Sequence, residues 1–319
     1  MQEVDRFDDL CDFLKKDGFK GVYMPRTGEA CDGCAIFWKK KVFSLLHEEK
    51  IEFQSFGLNH NVAQFCVLKM NKKQVQSKSH RQESKSKLTP NQSLVVGNIH
   101  VLYNPRRGDI KLGQVRLFLE KAHCLSQEWG SIPVILAGDL NSTPQSPMYQ
   151  FLESSRLNVQ FLDRRNISGQ QEYECCGNGF AFQNSNIRRC TTSASHSKTW
   201  MNGWSEEELM LATGSRTATH LQHNLKLYSA YLGVPGSRAT RDNYGEPLAT
   251  SHHSKFSGTV DYIWHTEQLI PVRVLDTLPM HILRRTGGLP SKVWGSDHLA
   301  LVCELAFAAA DDDDNNKNM

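Results

Sequence analysis

The sequence has no run of about eighteen apolar residues, the length a membrane-spanning helix needs, so an integral membrane protein is not expected. Its charged opening, with Glu3, Asp5, Asp8 and Asp9, has nothing like the apolar stretch of a signal peptide, and the expectation is a soluble, intracellular chain. Neither sign of charge dominates. The 37 Lys and Arg against 34 Asp and Glu give a net charge of +3, compatible with a polyanionic substrate without demanding one. The nine cysteines are odd in number and scattered through ordinary globular sequence, which favours a reducing compartment over a disulfide scaffold. Cys31-Asp32-Gly33-Cys34 has the spacing of half a zinc site or of a redox pair. No second Cys-x-x-Cys follows it, and Cys34 leads directly into the strand-like Ala35-Ile36-Phe37-Trp38, so a structural role is expected. There is no internal repeat, and 319 residues suffice for a sizeable core.

What is present alternates between two periodicities. Phe7, Leu10, Cys11 and Leu14 recur at helical spacing within Val4 to Lys16, and Gly18 can close that helix. Cys34 to Lys39, Ile51 to Phe56, Val62 to Lys69 and Leu94 to Leu102 read as strands. Asp109 is expected to cap a helix whose apolar face is Leu112, Val115, Leu119, Ala122 and Leu125, and Ile132 to Ala137 is a buried strand. Thr259 to His265, Ile270 to Leu275 and Leu299 to Phe307 follow as late strands. Residues 71–91 are almost wholly polar and read as a flexible surface loop, residues 311–319 as a disordered acidic tail. Residues 164–251 break the pattern and read as an insertion, with only Leu225 to Leu232 suggesting order. The alternation predicts one α/β domain over residues 1–310, built as a layered sandwich with mixed sheets.

Two short motifs lie at strand ends. Gly138-Asp139-Leu140-Asn141 follows a buried strand, and Ser296-Asp297-His298 precedes the last one. Asp-x-Asn after a strand is commonly only a turn, because both side chains bond their own backbone there. Together, the two motifs offer two carboxylates, a carboxamide and an imidazole to a phosphate and a divalent cation, which points to metal-assisted phosphoester hydrolysis. Taken singly, His100 in an apolar strand would be a core histidine, Glu3 a solvated acid and Phe256 a core aromatic; as an ordered set they join the same site.

In the order Gln2-Glu3-Val4, Asn98-Ile99-His100, Gly138-Asp139-Leu140-Asn141, Val260-Asp261-Tyr262-Ile263 and Ser296-Asp297-His298, the chain resembles the endonuclease/exonuclease/phosphatase superfamily. Asn104-Pro105, Asp109-x-Lys111-Leu112-x-Gln114, Leu227 to Tyr231 and Phe256 to Trp264 are similar to its carbon catabolite repressor type deadenylases, relatives of nocturnin and angel. The resemblance implies a DNase-I-like sandwich of two mixed sheets and a poly(A)-specific 3′–5′ exoribonuclease that releases 5′-AMP. It also implies Mg²⁺ as cofactor, with Mn²⁺ able to substitute, and Glu3, Asp297, Asp139 and Asn141 as metal or phosphate ligands. Asp139 would orient or deprotonate the attacking water. His298, held by Asp261, and His100 would donate to phosphate oxygens, and Asn104, Pro105 and Phe256 would hold the terminal nucleotide. The implied partners are single-stranded RNA, poly(A) and a deadenylase complex, with no membrane, and the implied locations are cytoplasm and nucleus.

Members of that group begin with a strand carrying an asparagine and a following helix, ahead of the Gln-Glu-Val motif. Here Met1 directly precedes Gln2, so the sandwich is expected to lack that first strand and helix. The competing readings are another phosphoesterase of the superfamily, such as a nocturnin-like phosphatase, and a shortened, inactive interaction protein.

Overall fold

A computed structural model describes residues 1–71, 92–170 and 203–308; the polar loop expected at 71–91 lies almost entirely outside these, as does the expected acidic tail. In chain order the elements are α1 (Phe7–Lys15), β1 (Phe19–Pro25), β2 (Gly33–Lys39), β3 (Phe43–Glu52), β4 (Val62–Met70), β5 (Ser93–His100), α2 (Gly108–Glu128) and β6 (Val134–Asp139). There follow α3 (Pro147–Ser154), β7 (Arg156–Asn158), α4 (Glu206–Thr213), β8 (His220–Gln222), β9 (Leu227–Ser229), β10 (Ser251–His253), β11 (Phe256–Gly258), β12 (Asp261–Thr266), β13 (Leu269–Leu275), α5 (Met280–Thr286) and β14 (Val302–Phe307).

The centre is a six-stranded mixed sheet in the order β3-β4-β5-β6-β12-β9, with β5 and β6 parallel and the other pairs antiparallel. β4 and β5 are buried on both faces, as expected of strands covered on both sides. On one face α2 lays Val115, Phe118, Leu119 and Ala122 against Phe65, Val67, Val95 and Leu136, with the Phe65 and Phe118 rings stacked 4.9 Å apart between centroids. On the other face the β1–β2 hairpin packs Ile36 and Trp38 onto Cys66 and Leu68. The result is a helix layer, a sheet and a second β layer, the layered sandwich that the alternation of elements predicted and of the DNase-I-like kind that the family resemblance implied.

The opening residues are part of the second layer. Val4 and Gly33 exchange reciprocal backbone bonds of 2.9 and 3.0 Å, and Ala35 N–H donates to the Met1 carbonyl at 2.9 Å. Elsewhere local detail departs from expectation. The strand expected at Ile51 to Phe56 is β3 followed by a 3-10 turn over Phe53–Phe56, which Gly57 closes in left-handed conformation so that Phe53 drops into the core. Asp109 does not cap α2; it is fully buried in the first turn and takes a forked bond from Arg107. Within 164–251, the described residues include α4, started by a Ser205–Glu208 capping box, together with β8 and β9.

Candidate active site

Three neighbouring strands deliver the site. The parallel β5–β6 register sets His100 beside Asp139, and the antiparallel β6–β12 register sets Asp261 opposite Asp139. Asp139, in the middle strand of the three, is fixed by backbone ladders on both sides. Gly138 permits the close approach that this needs: a Cβ there would meet the Ile99 carbonyl oxygen at 2.0 Å.

Beyond β6 the chain turns sharply at Asn141, a non-glycine residue at φ +45°. That turn is bonded from every side. Asn141 N–H donates to Asp139 Oδ1 at 2.7 Å, its Nδ2 donates to the Val101 carbonyl at 3.0 Å, and its own carbonyl accepts from Lys111 Nζ at 2.6 Å. Lys111 is fully buried and also reaches Gln170 Oε1 at 3.1 Å; burial pulls its amine down to about 7. Asn141 therefore turns Oδ1, not its amide nitrogen, towards the cleft.

His298 arrives from the opposite side. Its backbone bridges to Ser251, Leu299 N–H donates to Thr250 at 2.7 Å, and its Nδ1 lies 2.7 Å from Asp261 Oδ2, which leaves Nε2 for the cleft. Burial opposes its charge, but the hydrogen bond and charge of Asp261 prevail and push the imidazole up to about 9. His100 behaves in the opposite way. Its Nε2 is 3.6 Å from Asp139 Oδ2 and 3.9 Å from Glu3 Oε1, yet burial holds it down at about 4 and it stays neutral. Its buried Nδ1 has no partner among the described residues.

The acids show what the site wants. Burial and the nearby Asp261 charge push Asp139 well above the usual carboxylate range, and burial followed by the charges of Asp297 and Asp32 raises Glu3. Ligand atoms of Asp139, Asp261 and His298 all lie within 4.8 Å of one another. Carboxylates that raise one another in this way are relieved by a bound cation, and a set dominated by oxygen donors fits a hard divalent ion. The donor set thus fits the cofactor class expected from the sequence.

A cleft of about 580 Å³ opens over this cluster, and Glu3, His100, Pro105, Asp139, Asn141, Phe256, Asp297 and His298 all line it. Asp261 stands behind His298. Asn104 is not among the lining residues; its Oδ1 accepts from Arg106 N–H at 2.9 Å and shapes the turn into α2. Arg26, Tyr103, Gln170, His253 and Lys255 also line it without any sequence signal having marked them. Lys111 carried a signal, its place in Asp109-x-Lys111-Leu112-x-Gln114, but nothing in that spacing showed that the ammonium would reach the Asn141 turn.

A sandwich with catalytic-type side chains gathered at the ends of adjoining central strands is of the DNase-I-like class. Within that class the chain belongs to the Endonuclease/Exonuclease/phosphatase family, whose pattern matches residues 2–298. It is 61% identical over 311 residues to carbon catabolite repressor protein 4 homolog 5 of Arabidopsis thaliana, covering 96% of this chain and 66% of that one. It is 48% identical over 307 residues to homolog 3 of the same plant, covering 96% and 64%. The chain therefore spans just under two thirds of the length of these relatives. Among solved structures, ANGEL2, a 2′,3′-cyclic phosphatase, in complex with adenosine-2′,3′-vanadate, matches with a TM-score of 0.68 at 30% identity, covering 95% of this chain and 80% of that one.

Proposed function

We propose that this chain carries the catalytic region of a divalent-cation-dependent phosphodiesterase that shortens poly(A) from its 3′ end and releases 5′-AMP. The observation that carries the reading is the convergence of Asp139, Asp261 and His298, of which Asp139 and His298 line a cleft shared with Phe256 and Pro105. Likeness to the carbon catabolite repressor homologues supports the deadenylase choice within the family.

A cation held by Glu3 and Asp297, with Mg²⁺ favoured and Mn²⁺ able to replace it, would supply positive charge to the phosphoryl oxygens as negative charge builds on them. The rest of the work falls to the protein. Asp139, raised towards neutrality, is suited to take a proton from the attacking water. His298 is protonated at pH 7 and aimed by Asp261, so its Nε2 donates to a non-bridging phosphate oxygen. Asn141, locked by Lys111 and Val101, presents an oxygen that can accept from the incoming water or face a cation. Phe256 and the buried Pro105 give the terminal base apolar surface, a contact worth roughly 1–3 kcal/mol for a stacked base and tolerant of base identity.

A second reading has a specific observation behind it: ANGEL2, a 2′,3′-cyclic phosphatase, is similar over 95% of this chain. Two 5′-labelled oligo(A) strands resolved on a gel, one ending in a 3′-hydroxyl and one in a 2′,3′-cyclic phosphate, separate the two. Stepwise shortening supports deadenylation, whereas opening of a 2′,3′-cyclic end without shortening replaces it. Asp139→Ala and His298→Ala should each reduce the reaction at least about a hundredfold. Turnover close to that of the unaltered protein in either variant would remove the catalytic assignment.

A further inference from the structure

The cleft gathers the acids Glu3, Asp139 and Asp297 around the reacting position, with Asp261 behind His298, and the cations within it are Arg26, Lys255 and His298. An RNA longer than one nucleotide brings a charge per linkage to such a site, so its neighbouring phosphates need cations elsewhere. The sequence supplies them in two stretches, residues 247–260 and 277–296, neither of which contains an Asp or a Glu. The first carries His252, His253 and Lys255 on the β10–β11 hairpin; the second carries Arg284 and Arg285 on α5 and Lys292 in the loop beyond.

The fold joins these stretches side by side. Leu289 N–H donates to the His252 carbonyl at 2.7 Å, and Leu283 and Leu289 pack with Ala249 and Leu299 into a small core of their own. His252 is held below its ordinary value by burial first, then by the charges of Arg284 and His253, so cations from both stretches converge here. Lys255, Arg284, Arg285 and Lys292 are all exposed, and Lys255, Arg285 and Lys292 enter no ion pair among the described residues. The ridge begins inside the cleft, since His253 and Lys255 line it beside Phe256.

We propose that the β10–β11 hairpin and the α5 region form a cationic ridge that binds backbone phosphates of single-stranded RNA beyond the nucleotide held in the cleft. The proposal rests on the nuclease reading of the cleft and deepens it. The ridge makes the substrate a polymer and not an isolated nucleotide, because a mononucleotide held at Phe256 has no phosphate to place on Arg285 or Lys292. Such contacts are to backbone phosphate, so they add affinity without reading the base.

The test is direct binding in the presence of Mg²⁺, on an Asp139→Ala background that prevents turnover. Fluorescence anisotropy is read with a ten-nucleotide oligo(A), a dinucleotide and a polyglutamate peptide, with and without Arg285→Glu/Lys292→Glu. The unaltered ridge should favour the decamer over the dinucleotide at least about tenfold. The double reversal should shrink that preference to below about threefold and flatten the salt slope by about 1.4, from roughly 0.7 per single-strand phosphate contact. A melting curve checks that the reversed protein folds; should it not, Lys255→Ala/Arg285→Ala/Lys292→Ala provides the same comparison without reversed charge. An unchanged length preference and salt slope overturn the ridge, and so does polyglutamate binding as tight as that of the decamer. Cleavage of poly(A) by the unaltered protein is scored separately. Ridge-dependent binding without release of AMP would sink the activity and leave the ridge standing, while AMP release with ridge-independent binding would do the reverse.

Discussion

Replacing Gly138 by alanine tests whether the geometry of the site depends on the closeness of β5 and β6. The added Cβ would lie 2.0 Å from the Ile99 carbonyl oxygen, 3.0 Å from its carbonyl carbon and 3.1 Å from Ile99 Cγ2. Carbon and oxygen settle at roughly 3.3 Å or more, so the strands must part by more than about 1 Å at this step. The obstacle is backbone in the middle of a sheet, with β4 on one side and β12 on the other, and it cannot swing away as a side chain would. Overpacking of this kind costs about 1–3 kcal/mol, a melting-temperature loss on the order of 2–10 °C for a domain of this size. Activity should suffer more than stability. Ile99↔Gly138 is the register pair next to His100↔Asp139, and a displacement near 1 Å of a catalytic group costs about a hundredfold in rate. Gly295→Ala, with nothing within 4 Å, serves as the control and should melt like the unaltered protein. Melting by circular dichroism and phosphodiester turnover are the two measurements. A Gly138→Ala protein that melts and turns over normally would refute the claim that this glycine sets the spacing of His100 and Asp139.

Asp261→Asn should abolish a pH-dependent contribution to stability: His298, raised from 6.5 to about 9, stabilises the fold fully below pH 6.5 and loses that contribution as pH rises through 9. The gap between the two proteins, on the order of 2–3 kcal/mol after allowing for partial exposure, should close between those pH values in denaturant melts, and a gap constant with pH would count against the pair. Lys111→Met should leave stability at pH 7 within about 1 kcal/mol, since a buried ammonium without a carboxylate partner is lost, while turnover falls about tenfold as the Asn141 turn loosens; normal turnover would show that the clamp is dispensable. Chelation should abolish activity and Mg²⁺ or Mn²⁺ restore it, whereas zinc-dependent activity that survives a moderate chelator would point to a different donor set.

The strand and helix periodicities, the buried run ending in Asp139 and the late strand after His298 were legible in the sequence, because burial on one or both faces imposes its spacing directly on the order of residues. So was the candidate set itself, through the order of five short motifs. What the sequence could not decide is who touches whom. Register alone sets Asp261 opposite Asp139 and His100 beside it, and register depends on pairings between residues up to 130 positions apart in the chain. Asp109 looked like a helix cap and is instead a buried partner of Arg107; Phe53 looked like a strand residue and opens a 3-10 turn. In both, local propensity yielded to a contact that exists only once the core has formed. Lys111 and Arg26 show the limit most clearly. A long charged side chain reads as surface from sequence, and only the folded sheet supplies the Asn141 carbonyl that Lys111 meets and the acidic cleft into which Arg26 is drawn. Periodicity therefore determined the layers and the motifs determined the chemistry available, but the directions of charge on His100 and His298, opposite for the same residue type, were decided by burial and by the one carboxylate that the tertiary structure places 2.7 Å from His298.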